Sequence, residues 1–187
     1  MDRLSDFLEV ARNLKSVKRT GWVERGVSGP ESVADHSCMM ALMCMAMPAD
    51  GRVNRDRAVG MALVHDLAEA ETGDIIKKEN WPVGGSMAAA EKADLERKAL
   101  KNMLAGVERR TASEMLGLWE EYEEGVTAEA IFVRDIDVAE RIMQAKSYHD
   151  KGNFSRSLEG FWDESNMGLI RNKSIKMLVM KVIGKGR

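Results

Sequence analysis

The sequence is poor in cysteine, proline, histidine and aromatic residues, and it has no long apolar run. Its two cysteines, Cys38 and Cys44, are six apart with no Cys-x-x-Cys spacing. That excludes a disulfide scaffold and a thiolate zinc site, and both read as buried thiols in a reducing compartment. A basic excess is also missing. Lys plus Arg is 28 against 30 Asp plus Glu, for a net charge of −2, so nothing global argues for a nucleic-acid polymer as partner. The longest uncharged stretch, Ser37 to Ala49, falls short of the ~20 apolar residues that span a bilayer. The first ten residues carry Asp2, Arg3, Asp6 and Glu9, where a secretory signal would need an apolar region. A cytoplasmic protein without a membrane partner is expected.

What is present suits one globular unit. The 187 residues are 44% apolar and 31% charged, and a chain of this length buries roughly 70% of its unfolded surface. Aromatics are only 5% while Met, Ala and Leu abound, which favours helices over strands. We therefore expect an all-α fold, a single-domain helical bundle of six to eight helices spanning residues 1–187.

Leu4, Leu8, Ala11 and Leu14 mark a first helical stripe. A second helix over Val33 to Met47, closed by Pro48, is apolar nearly all round and is expected at the centre of the bundle, its Met run packing the core. Asn54 caps a third helix from Arg55 to about Glu71, with Gly73 beyond it. The loop from Thr72 to Ser86 holds Trp81-Pro82 and Gly84-Gly85, and loops of that length are often functional. A fourth helix covers Met87 to Leu104. Thr111 and Glu114 read as a capping box for a fifth that ends near Gly125, and Thr127 opens a sixth that reaches Tyr148. One or two short helices follow. The last, within 166–187, is a basic amphipathic helix with Ile175, Leu178, Val179, Val182 and Ile183 at helical spacing and a solvated basic face.

The chemistry gathers around three histidines: His36, His65 and His149. His65 is followed by Asp66, with Glu69 one turn on, and residues at i, i+1 and i+4 can lean toward one point. His149-Asp150 repeats the dipeptide at a helix end, where a histidine most simply answers the helix dipole. His65-Asp66 instead ends an apolar helix, and His36 opens the most apolar stretch of the chain. Such groups need partners when buried. Two readings stand on these residues alone: a metal site, or core histidines that each satisfy a backbone carbonyl.

The pattern Val33-Ala34-Asp35-His36, Ala62-Leu63-Val64-His65-Asp66-Leu67-Ala68-Glu69 and Thr72-Gly73-Asp74 resembles the HD-domain metal-dependent phosphohydrolases. Further stretches resemble their 5'-deoxynucleotidase branch: Arg19 to Trp22, Pro30 to Val33, Leu118 to Glu123, Glu129 to Val133, and Gln144-Ala145. The likeness covers roughly residues 5–165. It implies a divalent cation (Mn, Co, Fe or Zn) on His36, His65, Asp66 and a later aspartate. Asp135 shares a face with Ile131, Phe132, Val138 and Ala139 and reads as the more buried candidate, whereas the family motif places the ligand at Asp137. Glu69 and Asp74 are implied in catalysis or, with the Ile75 carbonyl, in holding a second ion such as Mg²⁺. Arg19, Trp22 and Arg25 would bind substrate, although Gly21 stands where bacterial members have an arginine before the tryptophan.

The implied reaction is hydrolysis of deoxyribonucleoside 5'-monophosphates, in a protein that resemblance suggests is a homodimer. Another HD phosphohydrolase activity, on phosphodiesters or nucleoside polyphosphates, and a non-catalytic metal-binding module are the alternatives. No Gly-x-Ser-x-Gly elbow occurs, which argues against a serine nucleophile.

Overall fold

A computed structural model describes residues 3–77 and 87–184, and its helices follow one another as α1 (Arg3–Ala11), α2 (Thr20–Glu24), α3 (Val33–Ala46), α4 (Arg55–Val64), α5 (Glu69–Thr72), α6 (Ala89–Leu104), α7 (Arg109–Glu124), α8 (Ala128–Lys151), α9 (Glu164–Leu169) and α10 (Lys173–Gly184). The fold is all-α. Trp81, Pro82, Gly84 and Gly85 lie outside the described residues. No described helix is long and apolar enough to cross a membrane.

Local chemistry sets the helix ends that matter for the site. Ser32 and Asp35 form a reciprocal capping box at the start of α3: the Ser32 hydroxyl accepts from the Asp35 N–H, and the Asp35 carboxylate accepts from the Ser32 N–H. That fixes the first turn, on which His36 rides. Thr127 caps α8 by accepting from the Ala130 N–H.

The packing is built around α8, the 24-residue helix, against which α3, α4, α7 and α10 all lie. α3 and α4 run along each other, and α5 meets α6. Met40, Met61, Leu100, Trp119, Ile136, Ile142 and Ile175 are wholly buried in the shared core. Each side chain of that size contributes roughly 1.5–3 kcal/mol relative to exposure. A smaller cluster of Trp22, Val27, Ala145, Tyr148 and Leu158 fixes α2 to the far end of α8.

Four expectations change. The helix from Arg55 ends at Val64, not near Glu71. Hydrogen bonds of the i to i+3 type tighten the chain there (Leu67 N–H to Val64 O, Glu69 N–H to Asp66 O, Ala70 N–H to Leu67 O), and α5 is a separate short helix. α7 starts at Arg109, capped by the Glu108 carboxylate, which accepts from the N–H groups of Arg110 and Thr111; Thr111-Glu114 is not its capping box. α3 is not enclosed. Met40, Met43 and Cys44 are buried, but Met39, Leu42 and Met45 are exposed, and so is Cys38, because only one side of α3 faces α4 and α8. Finally, a short helix that periodicity did not predict, α2, forms ahead of α3, pinned by Asp74: the Thr20 N–H donates to Asp74 Oδ2 at 2.6 Å, and the Thr20 hydroxyl donates to the Asp74 carbonyl at 2.6 Å.

Candidate metal centre and its cavity

Two helices and one tight turn deliver polar side chains to a single point in this otherwise apolar core. His36 comes from the first turn of α3, His65 and Asp66 from the turn after α4, and Asp137 from the middle of α8. Both imidazoles are buried, and their rings meet edge to face with centroids 5.4 Å apart. One ring nitrogen each of His36 and His65 and an Asp66 oxygen all lie within 4.8 Å of one another. His65 Nε2 is 3.1 Å from Asp66 Oδ2, and His36 Nε2 is 3.5 Å from Asp137 Oδ1.

The other ring nitrogens fix which atoms face that point. His65 Nδ1 sits 2.9 Å from the Ala62 carbonyl, and His36 Nδ1 sits 2.7 Å from Glu140 Oε2. Each ring therefore presents Nε2 inward, and neither Nε2 has a hydrogen-bond partner although both are buried. Two orphaned imidazole nitrogens converging with two carboxylates are an arrangement that a divalent cation satisfies, and the mixed N/O set suits a first-row transition metal or zinc. The core-histidine alternative accounts for one nitrogen of His65 and leaves its Nε2 unexplained.

The electrostatics agree with that reading. Burial and Arg19 oppose charge on His36, yet the neighbouring carboxylates of Asp137 and Glu140 push its pKa up to about 9. Burial disfavours the Asp66 carboxylate, but His65 and Arg19 hold its pKa well below the usual range. Asp137, half-buried, has its pKa pulled down by His36 and Arg141 against the cost of desolvation.

The centre opens into a cavity of about 510 Å³ whose lining includes Asp66, Glu69, Asp74, Ile75, Asp137 and Phe161. Arg19 also lines it, with Nη1 donating to Asp66 Oδ2 at 2.9 Å. Trp22 forms part of the wall but is buried. Its Nε1 donates to Glu31 Oε1 at 2.8 Å, and its ring packs on Tyr148 and Phe161. Arg25 lies over the Phe161 ring at 5.7 Å. Glu69 is buried. Burial and the charges of Asp66 and Asp74 push its pKa well above the usual range, with Lys92 and Arg19 opposing.

The runner-up aspartate belongs elsewhere. Asp135 is buried because its two oxygens accept the backbone N–H groups of Arg171 and Asn172, at 3.0 and 2.7 Å, ahead of α10. His149, at the end of α8, stacks on Phe154 away from the centre. Five polar residues at the site escaped the sequence reading: Tyr122, whose hydroxyl donates to Asp137 Oδ2 at 3.1 Å, together with Glu140, Arg141, Lys92 and Glu96. Glu140 and Arg141 stand three and four residues beyond Asp137. That helical spacing is the one signal that could have found them.

Comparison with known proteins follows the same pattern. The HD domain family model matches residues 11–173. The human protein named 5'-deoxynucleotidase HDDC2 is 41% identical over 179 residues, 96% of this chain and 84% of that protein. The Schizosaccharomyces pombe protein named 5'-deoxynucleotidase hdd1 is 36% identical over 159 residues, 83% of this chain and 77% of that one. Among solved structures, the PH0347 protein from Pyrococcus horikoshii OT3 superposes with a TM-score of 0.72 at 30% identity, covering 96% of both chains.

Proposed function

The chain belongs to the HD domain family, and from that membership we propose that it is a metal-dependent 5'-deoxynucleotidase, converting deoxyribonucleoside 5'-monophosphates to deoxynucleosides and inorganic phosphate. The observation that carries the proposal is the pair of buried, unpartnered Nε2 atoms of His36 and His65 set against Asp66 and Asp137 at the floor of a nucleotide-sized cavity. His36, His65, Asp66 and Asp137 would hold the cation, and their mixed N/O donor set suits Mn, Co, Fe or Zn. When bound, it supplies a water acidified toward a pKa of about 7 and charge to offset the phosphoryl oxygens. Glu69, Asp74 and the Ile75 carbonyl are oxygen donors of the kind a second ion such as Mg²⁺ takes.

The protein's own groups do the rest. Glu69 Oε1 is engaged by Lys92, while Oε2 is buried without a partner, so Oε2 is the atom that takes the proton from the attacking water. Water adds to phosphorus as the bond from phosphorus to the 5'-oxygen breaks, and the leaving 5'-oxygen takes up a proton that balances the one Glu69 accepted, releasing the deoxynucleoside. Arg19 gives one N–H to Asp66, and a guanidinium has five, so it keeps donors for the phosphoryl oxygens. Asp74 holds α2 through Thr20 and thereby sets Arg19 and Trp22 against the cavity. Trp22, Arg25 and Phe161 form the side that faces the nucleoside.

The reading takes residues 1–187 as one domain, since Ile175 and Val179 of α10 share the main core. It takes the protein as a cytoplasmic homodimer. Two free thiols support the compartment, and the exposed strip of Met39, Leu42 and Met45 on α3 supports pairing of two copies.

A panel of dAMP, dGMP, dTMP, AMP, cyclic nucleotides and nucleoside triphosphates, each with Mn²⁺, Co²⁺ or Mg²⁺, tests this function. Phosphate release from the deoxynucleoside monophosphates should dominate. Silence on every monophosphate, or preference for a cyclic or polyphosphorylated nucleotide, would overturn it.

A further inference from the structure

Lys92 is a residue that local energetics does not explain. It stands in the first turn of α6, where the helix dipole disfavours a cation. Its i+4 partner is Glu96, and lysine before glutamate is the weaker order for such a pair on a helix. Lysine is almost never buried unless paired, yet Lys92 is 7% exposed. Its Nζ lies 3.0 Å from Glu69 Oε1 and 3.2 Å from Glu96 Oε1, and Lys92, Glu69 and Glu96 all line the cavity. A sequence that breaks local rules at one position, beside a candidate catalytic acid, marks a functional constraint.

We propose that Lys92 is a positioning residue: anchored by Glu96, its ammonium grips Glu69 Oε1, and so fixes the carboxylate rotation that leaves Oε2 for the reacting water. The inference rests on the reading of Glu69 as the base. A glutamate side chain has three rotatable bonds, and among the described residues no other hydrogen bond or ion pair restrains the Glu69 carboxylate. Lys92 bridges α5 and α6, so the helix that follows residues 78–86 contributes to the geometry of a base on the helix that precedes them. Lys92 has a third N–H, but two acidic neighbours hold the ammonium, which favours orientation over phosphate binding.

The test is a double-mutant cycle on dAMP hydrolysis with Mn²⁺-loaded protein, using Lys92→Met, Glu69→Gln and the pair. Methionine keeps the volume and the apolar stem, so K92M should fold. K92M should lower kcat roughly 10- to 100-fold, with KM and bound Mn²⁺ little changed. In the E69Q background, K92M should add almost nothing, because Lys92 acts through Glu69. Glu96→Gln, which loosens the anchor and leaves the lysine, should lower kcat by a smaller factor of about 3 to 10. Unchanged kcat in K92M, a rise in KM at constant kcat, or a full additional loss in E69Q/K92M would each overturn the proposal. A crystal structure of K92M gives a readout independent of turnover. The Glu69 carboxylate should lose its orientation there, and an unmoved carboxylate would refute the positioning role. A wild-type protein inert on every monophosphate would instead overturn the nucleotidase reading, and the crystal structure would still decide the placement.

Discussion

Removing the metal should leave a proton in its place on His36, and the consequence can be measured as pH-dependent stability. In the metal-free protein, Asp137 and Glu140 raise the His36 pKa from 6.5 to about 9, against burial and Arg19. A group whose pKa is higher folded than unfolded binds its proton more tightly in the folded state. Its contribution is therefore complete below pH 6.5 and is lost as the pH climbs through 9. At 1.36 kcal/mol per pH unit the difference is about 3 kcal/mol. The ring is fully buried, so solvent does little to screen it. A cation on Nε2 must displace that proton, which at pH 7 costs about a hundredfold in apparent metal affinity. Urea unfolding of chelated protein between pH 6.5 and 9.5 should show falling stability. The gain on adding Mn²⁺ should grow over pH 6.5 to 8.5. Wild-type protein is compared with Glu140→Gln, which should flatten the chelated profile by removing one of the two acceptors. A chelated protein equally stable across the range, or a Mn²⁺ gain that shrinks as pH rises, would refute the reasoning.

The two neighbouring aspartates on α8 should separate cleanly. Asp137→Ala should abolish metal retention. Asp135→Ala should leave metal content intact and lower stability by about 2 kcal/mol, by orphaning the backbone N–H groups of Arg171 and Asn172; elemental analysis and urea unfolding read both. Glu69→Gln should reduce dAMP turnover by about a hundredfold or more, with thermal stability kept or raised, because burial and the charges of Asp66 and Asp74 already disfavour that carboxylate. Gly125→Ala should lower the Tm at a cost of about 1–2 kcal/mol: φ is +67°, and the new Cβ would lie 2.5 Å from Arg134 Cζ, displacing a guanidinium that donates to the carbonyls of Tyr122 and Glu123.

The helices that can be read from caps and periodicity, α3, α6 and α8, appear close to their expected bounds, because Ser, Thr and apolar spacing act within a few residues of where they stand. His36, His65 and Asp66 stood out for the same local reason, as polar groups at the ends of apolar runs. Other features depend on contacts between distant segments. Helical spacing favoured Asp135 over Asp137, since a buried aspartate that caps a distant backbone turn and one that faces a histidine look alike in one dimension. Lys92 gave no sign, because its partner Glu69 is 23 residues away in the chain. The exposure of Cys38 and Met39 follows from which side of α3 meets α4 and α8, and a helix apolar all round does not announce that side. The break after Val64 comes from 3₁₀-type bonding in a sequence, Asp66-Leu67-Ala68-Glu69, with no proline or glycine to mark it.

Titrating chelated protein with Mn²⁺ while following phosphate release from dAMP bears most directly on the central claim. Release should be absent at the start, rise with bound ion, and fail to appear in His65→Ala at any Mn²⁺ concentration that loads the wild type. Full activity in the chelated protein, or in His65→Ala, would contradict the account.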